Sequence, residues 1–391
     1  MKLTSHPLFE KLRIFAPGPT PVPEEVLAIL GKAPVHHRTP EFAATWERVW
    51  KNLEYLYQTK QPCYVLSSSG TGAMEATVTS CLSTGDEVLV LNAGKFGERW
   101  TSIAKAFGLK VHEVVTPWGD AINPDEVKKA LTTHPAVRAV LFQAVETSTG
   151  VLHPVREIAK TVHDNSSALI FVDAITALGV CELPMDAWGL DAVISGSQKA
   201  LMLPPGISTI AFSERARKAR ERATIPSFYF DLKNDDKSRK LGQTAWTPAV
   251  GLIAGLDLIL QRFKEAGLEA VFKHHLRLAE GTRRGLQASG FELLAKHAPA
   301  PSITAVMLPK GCDKGEALIE YVRARFGVTI AEGQDHLKGK MIRIGHLGYF
   351  DELDMITVLS AVEMAAQHVG IPVNFGAGPA AAGRYFLEGS L

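Results

Sequence analysis

The sequence predicts an α/β protein with a mostly parallel sheet that is covered by helices on both faces. Two observations indicate this class. Between residues 62 and 212, short apolar runs alternate with segments whose apolar residues recur at helical spacing, and such alternation is typical of parallel sheets. Beyond residue 290 the pattern changes to the strands and helices of a smaller α+β unit. The 391 residues, 46% of them hydrophobic, suffice for about two domains.

The chain is expected to begin with an arm over residues 1–14. Residues 15–23 contain four prolines, which exclude a helix or a central strand and favour an extended linker or a turn. A helix is expected over Glu24–Leu30, because Pro23 stands just before its first turn. Residues 41–58 carry apolar side chains at helical spacing and predict a second helix.

The elements of the sheet follow in order. Predicted strands cover residues 63–66, 87–91, 110–115, 137–143, 169–172, 192–194 and 208–212, and predicted helices cover residues 73–82, 98–107, 124–132 and 154–165. In the second unit, a long helix over residues 266–290 precedes strands 303–308, 328–331 and 341–344 and helices 314–326 and 351–369.

This order of elements divides the chain into four parts. We predict an N-terminal arm (1–23), a large domain (24–262), a small domain (263–370) and a tail (371–391). The tail is rich in Gly and Ala, and it is expected to be either docked on the protein or poorly ordered.

Charge and composition exclude several classes of function. Lys and Arg (42) balance Asp and Glu (41), so nothing favours nucleic acid or an anionic membrane as a partner. No apolar run reaches the roughly 18–20 residues of a membrane span, and the first residues lack the apolar core of a secretory signal. No metal-binding spacing joins the four cysteines, and a reducing cytoplasm is expected for Cys63, Cys81, Cys181 and Cys312.

Residues 193–205 (VISGSQKALMLPP) contain the first candidate for catalysis. Lys199 follows a predicted buried strand and precedes two prolines. A partly desolvated lysine amine loses its proton easily and can form a Schiff base with a carbonyl compound. On this segment alone, an ordinary loop lysine with its amine in water is an equal alternative.

The second candidate is Asp173, which ends the strand in ALIFVDAITALG. Ligands of open α/β sheets bind at the carboxyl ends of the parallel strands. An imine-forming lysine and a carboxylate that keeps a pyridinium nitrogen protonated are the two groups that pyridoxal phosphate (PLP) chemistry requires. The alternative for Asp173 is an N-cap of the turn that follows it.

With the glycine-rich SSGTGAME upstream, these motifs resemble the class V aminotransferases, which are fold type I PLP enzymes. The resemblance covers residues 15–370 and is strongest to the alanine–glyoxylate, serine–glyoxylate and serine–pyruvate aminotransferases. It implies PLP as cofactor, a mostly parallel sheet of the seven-stranded type, and a homodimer with shared active sites.

The resemblance also implies a role for each residue of the site. The residues that hold the cofactor phosphate are Ser69, Gly70, Thr71 and Gln198, joined from the neighbouring subunit by Thr244 and Thr247. The groups around the cofactor ring are Phe96 on one face, Ile175 on the other, and Ser148 at the phenolic oxygen. The substrate carboxylate is bound by Arg343, with the backbone at Gly18 nearby.

From the residues alone, simpler interpretations stay open. A glycine-rich connection between strand and helix is more often an ordinary turn than an anion site. Phe96 could equally be a core residue, and Thr149-Gly150 a polar turn. Arg343 could lie on the surface of an edge strand.

The resemblance implies ping-pong transamination, in which the Lys199 amine carries the substrate proton. No second arginine is evident for a side-chain carboxylate, so alanine or serine is expected as donor and glyoxylate or pyruvate as acceptor. Cysteine desulfuration or another lyase reaction is the first alternative, but residues 332–340 lack the cysteine that desulfuration needs. The second alternative is a protein without PLP, structural or regulatory, which fits poorly with Asp173, Lys199 and Arg343 together. Three histidines are expected to be structural or to line the way into the site: His36, His37 and His346.

Overall fold

The computed structural model describes residues 11–388 and has the predicted α/β class. Residues 1–10 of the predicted arm and residues 389–391 of the predicted tail lie outside the described part. The strands are β1 (Arg13–Ile14), β2 (Cys63–Leu66), β3 (Glu87–Asn92), β4 (Lys110–Val115), β5 (Val137–Gln143), β6 (Val145–Glu146), β7 (Val151–Leu152), β8 (Leu169–Asp173), β9 (Ala192–Gly196), β10 (Ser208–Phe212), β11 (Glu292–Leu293), β12 (Ile303–Met307), β13 (Val328–Thr329), β14 (Ala331–Glu332) and β15 (Met341–Gly345).

The helices lie between these strands and on both sides of the main sheet. They are α1 (Glu24–Leu30), α2 (Pro40–Tyr57), α3 (Gly70–Cys81), α4 (Lys95–Ala106), α5 (Pro124–Thr133), α6 (Val155–Asn165), α7 (Glu214–Arg220), α8 (Leu232–Arg239), α9 (Val250–Ala266), α10 (Leu268–Ala288), α11 (Gly315–Phe326), α12 (Glu352–Val369) and α13 (Ala377–Glu388). None of the helices within residues 11–388 combines the length and apolar character that crossing a lipid bilayer requires.

The main sheet has seven strands in the order β2-β10-β9-β8-β5-β3-β4. All of them are parallel except β10, which is antiparallel to both β2 and β9. The link over residues 197–207 is too short for the helical crossover that a parallel pair requires, so the chain turns back as an antiparallel neighbour.

Helices cover both faces of this sheet, so its central strands are buried throughout. Every residue of β8 and β9 is buried. Phe171 and Ile194 face one apolar layer, and Ile170 and Val193 face the other. Burying one such side chain contributes about 1.5–3 kcal/mol, so these strands are held firmly and provide a rigid base for the residues that follow them.

A second, four-stranded sheet has the order β11-β12-β15-β14, and its paired strands are antiparallel. It shares an apolar core with α10, α11 and α12. Helix α9 runs across the predicted domain boundary at residue 262. The division of the chain at residues 23, 262 and 370 stays a prediction.

Part of the predicted tail is docked, because α13 packs against α10 and α12. The buried Glu363 carboxylate accepts hydrogen bonds from Gly376 N (2.6 Å), Gly378 N (2.7 Å) and Ser289 Oγ (2.7 Å). The ring of Phe386 lies against Gly281, where an added Cβ would come within 2.2 Å of Phe386 Cζ. The hydrogen bonds of the Glu363 carboxylate and the close packing of Phe386 on Gly281 therefore fix the tail in place.

Several predicted bounds are wrong, each for a local reason. Helices α3 and α4 begin at Gly70 and Lys95, three residues before the predicted starts, because glycines at helix starts hide the helical pattern. The predicted strand over residues 328–331 is two strands, since β13 pairs with β1 and β14 pairs with β15. The same pairing includes Arg13–Ile14 in a sheet, although we predicted an arm there.

Candidate active site

The candidate site lies where the central parallel strands β8 and β9 end. Asp173 is the last residue of β8 and is paired in register with Ile194 of β9. Lys199 follows three residues after the end of β9. Because parallel strands end at the same edge of a sheet, the acid and the amine are brought to one side of the protein.

The Lys199 amine is partly buried under the proline-rich N-terminal segment. Its Nζ donates a hydrogen bond to the carbonyl oxygen of Pro17 (2.6 Å). Gly18 has a positive φ of +138°, and a Cβ there would lie 2.3 Å from Nζ, so only glycine allows this contact. The predicted position of Gly18 at the mouth of the site agrees with this geometry, and the alternative of a loop lysine with its amine in water does not.

Burial lowers the pKa of Lys199 to about 8, although the Asp173 carboxylate raises it. The charges of Arg343 and Arg99 lower the pKa further. About a tenth of the amine is therefore uncharged at pH 7, far more than for an ordinary lysine, and the neutral form is what a nucleophile or a general base needs.

The Asp173 carboxyl group is buried, and burial raises its pKa to about 6. A hydrogen bond from Ile175 N to Oδ1 (2.8 Å) and the charges of Arg99 and Lys199 lower the pKa in return. The bond from Ile175 is of the kind that the N-cap alternative predicts, so Asp173 does hold the turn after β8. The same group lies close enough to Lys199 for each charge to act on the other.

The glycine-rich turn over residues 69–72 lies next to the residues that follow Asp173. Ser69 is the N-cap of α3, and the helix begins at Gly70. A Cβ on Gly70 would come within 2.3 Å of Ile175 Cδ1, so this turn and the residue after Asp173 are in direct contact. The Oε1 atom of Gln198 is buried and has no hydrogen-bond partner within residues 11–388. The N–H groups at the start of a helix and a buried amide without a partner are each of the kind that binds a phosphate group.

Phe96 lies in the first turn of α4, and the guanidinium group of Arg99 stacks on its ring at 4.7 Å from the centroid. Arg99 Nη1 also donates to Thr71 Oγ1 (3.3 Å). Arg99 was not predicted as a site residue. Its spacing of three residues from Phe96 on one helix was the available signal.

A buried carboxylate that the sequence analysis also missed holds the start of α4. Glu146 accepts hydrogen bonds from Ser148 Oγ (2.5 Å), Phe96 N (3.2 Å) and Gly97 N (3.2 Å). Burial raises the pKa of Glu146, and these bonds lower it. Ser148 Oγ also accepts a bond from Lys95 N (3.2 Å). Ser148 therefore lies at the start of α4, and its hydroxyl donates to Glu146. Its predicted bond to the phenolic oxygen of the cofactor stays a prediction.

Arg343 is only 7% exposed and lies in β15, between β12 and β14. The alternative of a surface position on an edge strand is therefore wrong. Arg343 Nε donates to Glu332 O (2.9 Å) and Nη1 to Thr147 O (3.0 Å). Burial lowers its pKa to about 10. Its Nη2 group makes no hydrogen bond within residues 11–388, so donors remain for a carboxylate.

Within residues 11–388, no hydrogen bond joins Thr244 or Thr247 to Lys199. The Thr244 hydroxyl donates to Trp246 O (2.8 Å). Both threonines line a small cavity with Ser67 and Asp235. Their predicted contact with a neighbouring subunit stays a prediction.

The histidines that were expected to be structural or to line the way in differ in place. His346 is buried, with its ring nitrogens near Thr304 Oγ1 (2.9 Å) and Pro301 O (3.0 Å), so it supports the second sheet. His36 is exposed, His37 is half-buried, and their rings lie against each other.

Comparison with known proteins identifies the family. The model of the family described as aminotransferase class-V matches residues 14–349. The chain belongs to this family. Class V aminotransferases are PLP enzymes of fold type I, so PLP is the cofactor, and the protein is a PLP-dependent transaminase.

Three relatives align over nearly the whole chain. The soluble hydrogenase small subunit of Synechococcus sp. (strain PCC 6716) is 42% identical, covering 96% of this chain and 98% of that protein. The L-aspartate–glyoxylate aminotransferase of Paracoccus denitrificans is 33% identical, covering 96% of both. The serine–glyoxylate aminotransferase of Methylorubrum extorquens is 31% identical, covering 97% and 96%.

A solved structure, the ureidoglycine–glyoxylate aminotransferase of Bacillus subtilis, matches with a TM-score of 0.91 at 29% identity. The match covers 98% of this chain and all of that one (100%). This class V aminotransferase therefore shares its whole fold, both sheets included, with an enzyme of the same chemistry.

Proposed function

We propose that this aminotransferase moves the amino group of a small amino acid, serine or alanine, to a small 2-oxo acid, glyoxylate or pyruvate. The observation that carries the proposal is the partly buried Lys199 amine, which lies at the sheet edge near Asp173. The charges of Arg343 and Arg99 act on this amine. The names of three similar proteins support glyoxylate as the acceptor, because each includes it.

In this proposal each residue of the chain has a physical task. Bound PLP supplies an aldehyde that takes up the amino group and a ring that accepts the electron pair of the Cα–H bond. Lys199 Nζ would take the proton from Cα of the substrate as a base and then release it as an acid. Asp173 would hold the proton of the ring nitrogen. Arg343 binds the substrate carboxylate through Nη2, which orients the Cα–H bond.

The choice of a small donor depends on what Arg99 does. The sequence analysis found no second arginine for a side-chain carboxylate, yet Arg99 lies at the site. Its guanidinium group is held by Thr71 and by the face of Phe96, beside the predicted phosphate position. We therefore assign Arg99 to the cofactor side of the site and keep serine and alanine ahead of aspartate.

We also propose a homodimer in which residues 243–248 complete the partner's site. Phe228 is 78% exposed, and its ring lies against Trp246, which stacks on the exposed Tyr229. Contiguous exposed aromatic side chains mark protein contacts. We further infer a cytoplasmic location, because the four cysteines are free thiols.

The test is a panel of half-reactions on the PLP-loaded protein. Serine and alanine are expected to bleach the visible band of the bound cofactor, aspartate to bleach it far more slowly, and glyoxylate to restore it. Lys199→Ala should show no band that borohydride can trap, whereas Lys51→Ala, at an exposed lysine, should keep it. A band that no amino acid bleaches would contradict transamination, fast bleaching by aspartate would contradict the small donor, and sulfide release from cysteine would favour the lyase alternative.

A further inference from the structure

A second cavity, of about 410 Å³, lies at the opposite end of the main sheet from Lys199. Its walls are the end of α3, the beginnings of β3, β5 and β8, and the segment from α7 to Ala223. The candidate active site is at the carboxyl ends of the same strands, so the length of the sheet separates the two. The cavity has the size of a small-molecule site.

Basic side chains dominate the rim of this cavity, although the whole chain is almost neutral, with 42 basic and 41 acidic residues. The four basic residues that line it are Arg138, Arg215, Lys218 and Arg222. Asp86 is the single acidic residue among those lining it within the described chain, and its carboxylate accepts a hydrogen bond from Ser83 N (2.8 Å). The lining of the cavity therefore has more basic than acidic side chains, although the net charge of the chain is only +1.

Two of the four basic groups are engaged by the protein and two are not. Arg215 Nη2 donates to Ser167 O (2.8 Å) and Ala168 O (2.9 Å), and its Nη1 lies 3.5 Å from the buried carboxylate of Asp191, which fixes the guanidinium group at the rim. Lys218 pairs with Glu214 on the surface. Arg138 and Arg222 make no side-chain hydrogen bond or ion pair within residues 11–388. Their donors are free for a ligand.

We propose that this cavity binds a compact anion with two or more negative charges, either a phosphate-bearing or a polycarboxylate small molecule. Guanidinium groups bind both kinds of anion through paired hydrogen bonds. One charge would lie between Arg138 and Arg222, and a second would lie toward Lys218, whose pairing with Glu214 is on the surface. Leu82, Val137 and Leu169 form an apolar floor, which suits a ligand with a small carbon body.

The experiment is isothermal titration of the PLP-loaded protein at physiological ionic strength. Loading keeps the cofactor's own phosphate position occupied. Pyrophosphate, inorganic phosphate and citrate are the probes: pyrophosphate and citrate distinguish the two ligand sources, and inorganic phosphate tests the need for a second charged group. We expect pyrophosphate or citrate to bind with a measurable Kd and inorganic phosphate to bind more weakly.

The variants decide whether the cavity is the site. Arg138→Gln with Arg222→Gln should weaken binding at least about tenfold, since two charge-assisted contacts are lost. Arg325→Gln removes an equally exposed arginine on α11 and should leave the Kd unchanged. Absence of binding by both multivalent probes, unchanged binding in the double variant, or an equal loss in Arg325→Gln would overturn the proposal. Transamination does not enter this readout, so its failure would be a separate result.

Discussion

Burial favours the neutral form of both principal groups of the site. The pKa of Lys199 is lowered to about 8 and that of Asp173 is raised to about 6, and the main cause in each case is desolvation. Each group also acts on the other, because the negative carboxylate stabilises the charged amine. The two residues therefore titrate near the pH at which the enzyme is expected to work.

The first prediction concerns the rate at which the cofactor-free protein takes up PLP. Only the neutral amine attacks an aldehyde, so the rate should rise about tenfold per pH unit below pH 8 and level off above it. Stopped-flow absorbance of the bound cofactor measures this rate. Asp173→Asn should move the midpoint to lower pH, because the carboxylate raises the pKa of Lys199. A rate that still climbs at the ordinary lysine pKa would contradict the prediction.

The second prediction uses the stability of the cofactor-free protein. The folded pKa of Asp173, about 6, is above its ordinary value of 3.8. The folded state therefore favours the protonated group, and the stability that this contributes is lost as the pH rises through 6. Asp173→Asn cannot ionise, so at pH 7.5 it should unfold with a free energy up to about 3 kcal/mol higher than the wild type.

Urea unfolding at pH 4 and pH 7.5 measures this difference, which should shrink at the lower pH. Asp120→Asn, at an exposed position, is the control and should show no such dependence. The Asp173 variant should also lose transamination, since the ring nitrogen has lost its acidic partner. Equal stability of variant and wild type at both pH values would refute the assignment of a buried charge.

Which residues of the site could be predicted follows from how each reaches it. Lys199 and Asp173 follow buried strands, so their place was visible in the apolar runs before them. Glu146 and Arg99 reach the site through contacts between separate elements: Glu146 binds the backbone of α4, and Arg99 contacts Thr71 of α3. Nothing local to either residue records those partners. The hydroxyl of Ser148 shows the same limit in part, because one of its two partners, Lys95 N, lies on a separate element.

At the scale of elements, the buried strands and the amphipathic helices could be predicted, because each has a recognisable pattern of apolar side chains along the sequence. The short helices α7 and α8 were missed because most of their residues are charged, which leaves too few apolar positions for a helical period. Strand β1 was missed because its partner β13 lies far along the chain. The tail could not be assigned, since glycine and alanine suit a docked helix as well as a loose end.

The docking of α13 leads to the third prediction. Gly281→Ala places a methyl group against Phe386, where the Cβ would be 2.2 Å from Cζ, so the helix must shift. Such overpacking costs about 1–3 kcal/mol. Limited proteolysis should release the tail faster, and the free energy of unfolding should fall.

Gly251→Ala is the matched control, because its nearest atom would be 3.6 Å away, an ordinary contact. Alanine also favours a helix over glycine, so this variant should be at least as stable as the wild type. Similar losses in both variants would mean that the cost comes from the helices themselves and not from the tail.

At the scale of the whole molecule, the fourth prediction is that Phe228 lies in the contact between two subunits. Phe228→Asp places a charge on the exposed aromatic surface and should shift the protein from dimer to monomer in analytical ultracentrifugation. The PLP affinity should fall with it, because Thr244 and Thr247 would no longer reach the partner's site.

Leu387→Asp changes an even more exposed apolar residue, 88% accessible on the tail helix, and should leave the mass unchanged. A wild-type protein that sediments as a monomer, or a Phe228 variant that stays a dimer, would rule out this surface as the contact. The overall architecture could be predicted from the sequence, because seven strands joined mostly by helical crossovers can form only a few sheet topologies. The assembly of subunits could not be predicted in the same way, because exposed aromatic residues show where a contact forms but not which partner forms it.

The backbone around Phe15 has a consequence for how the enzyme is made. Phe15 N donates to Thr329 O (2.7 Å), Gly345 N donates to Phe15 O (2.7 Å), and two residues later Pro17 O accepts the bond from Lys199. Residues 15–17 therefore need Thr329 and Gly345, far along the chain, before they can cover the reactive amine. A nascent chain halted on the ribosome before residue 345 should hold its lysine open to water, and newly synthesised protein should acquire vitamin B6 only once translation has nearly finished.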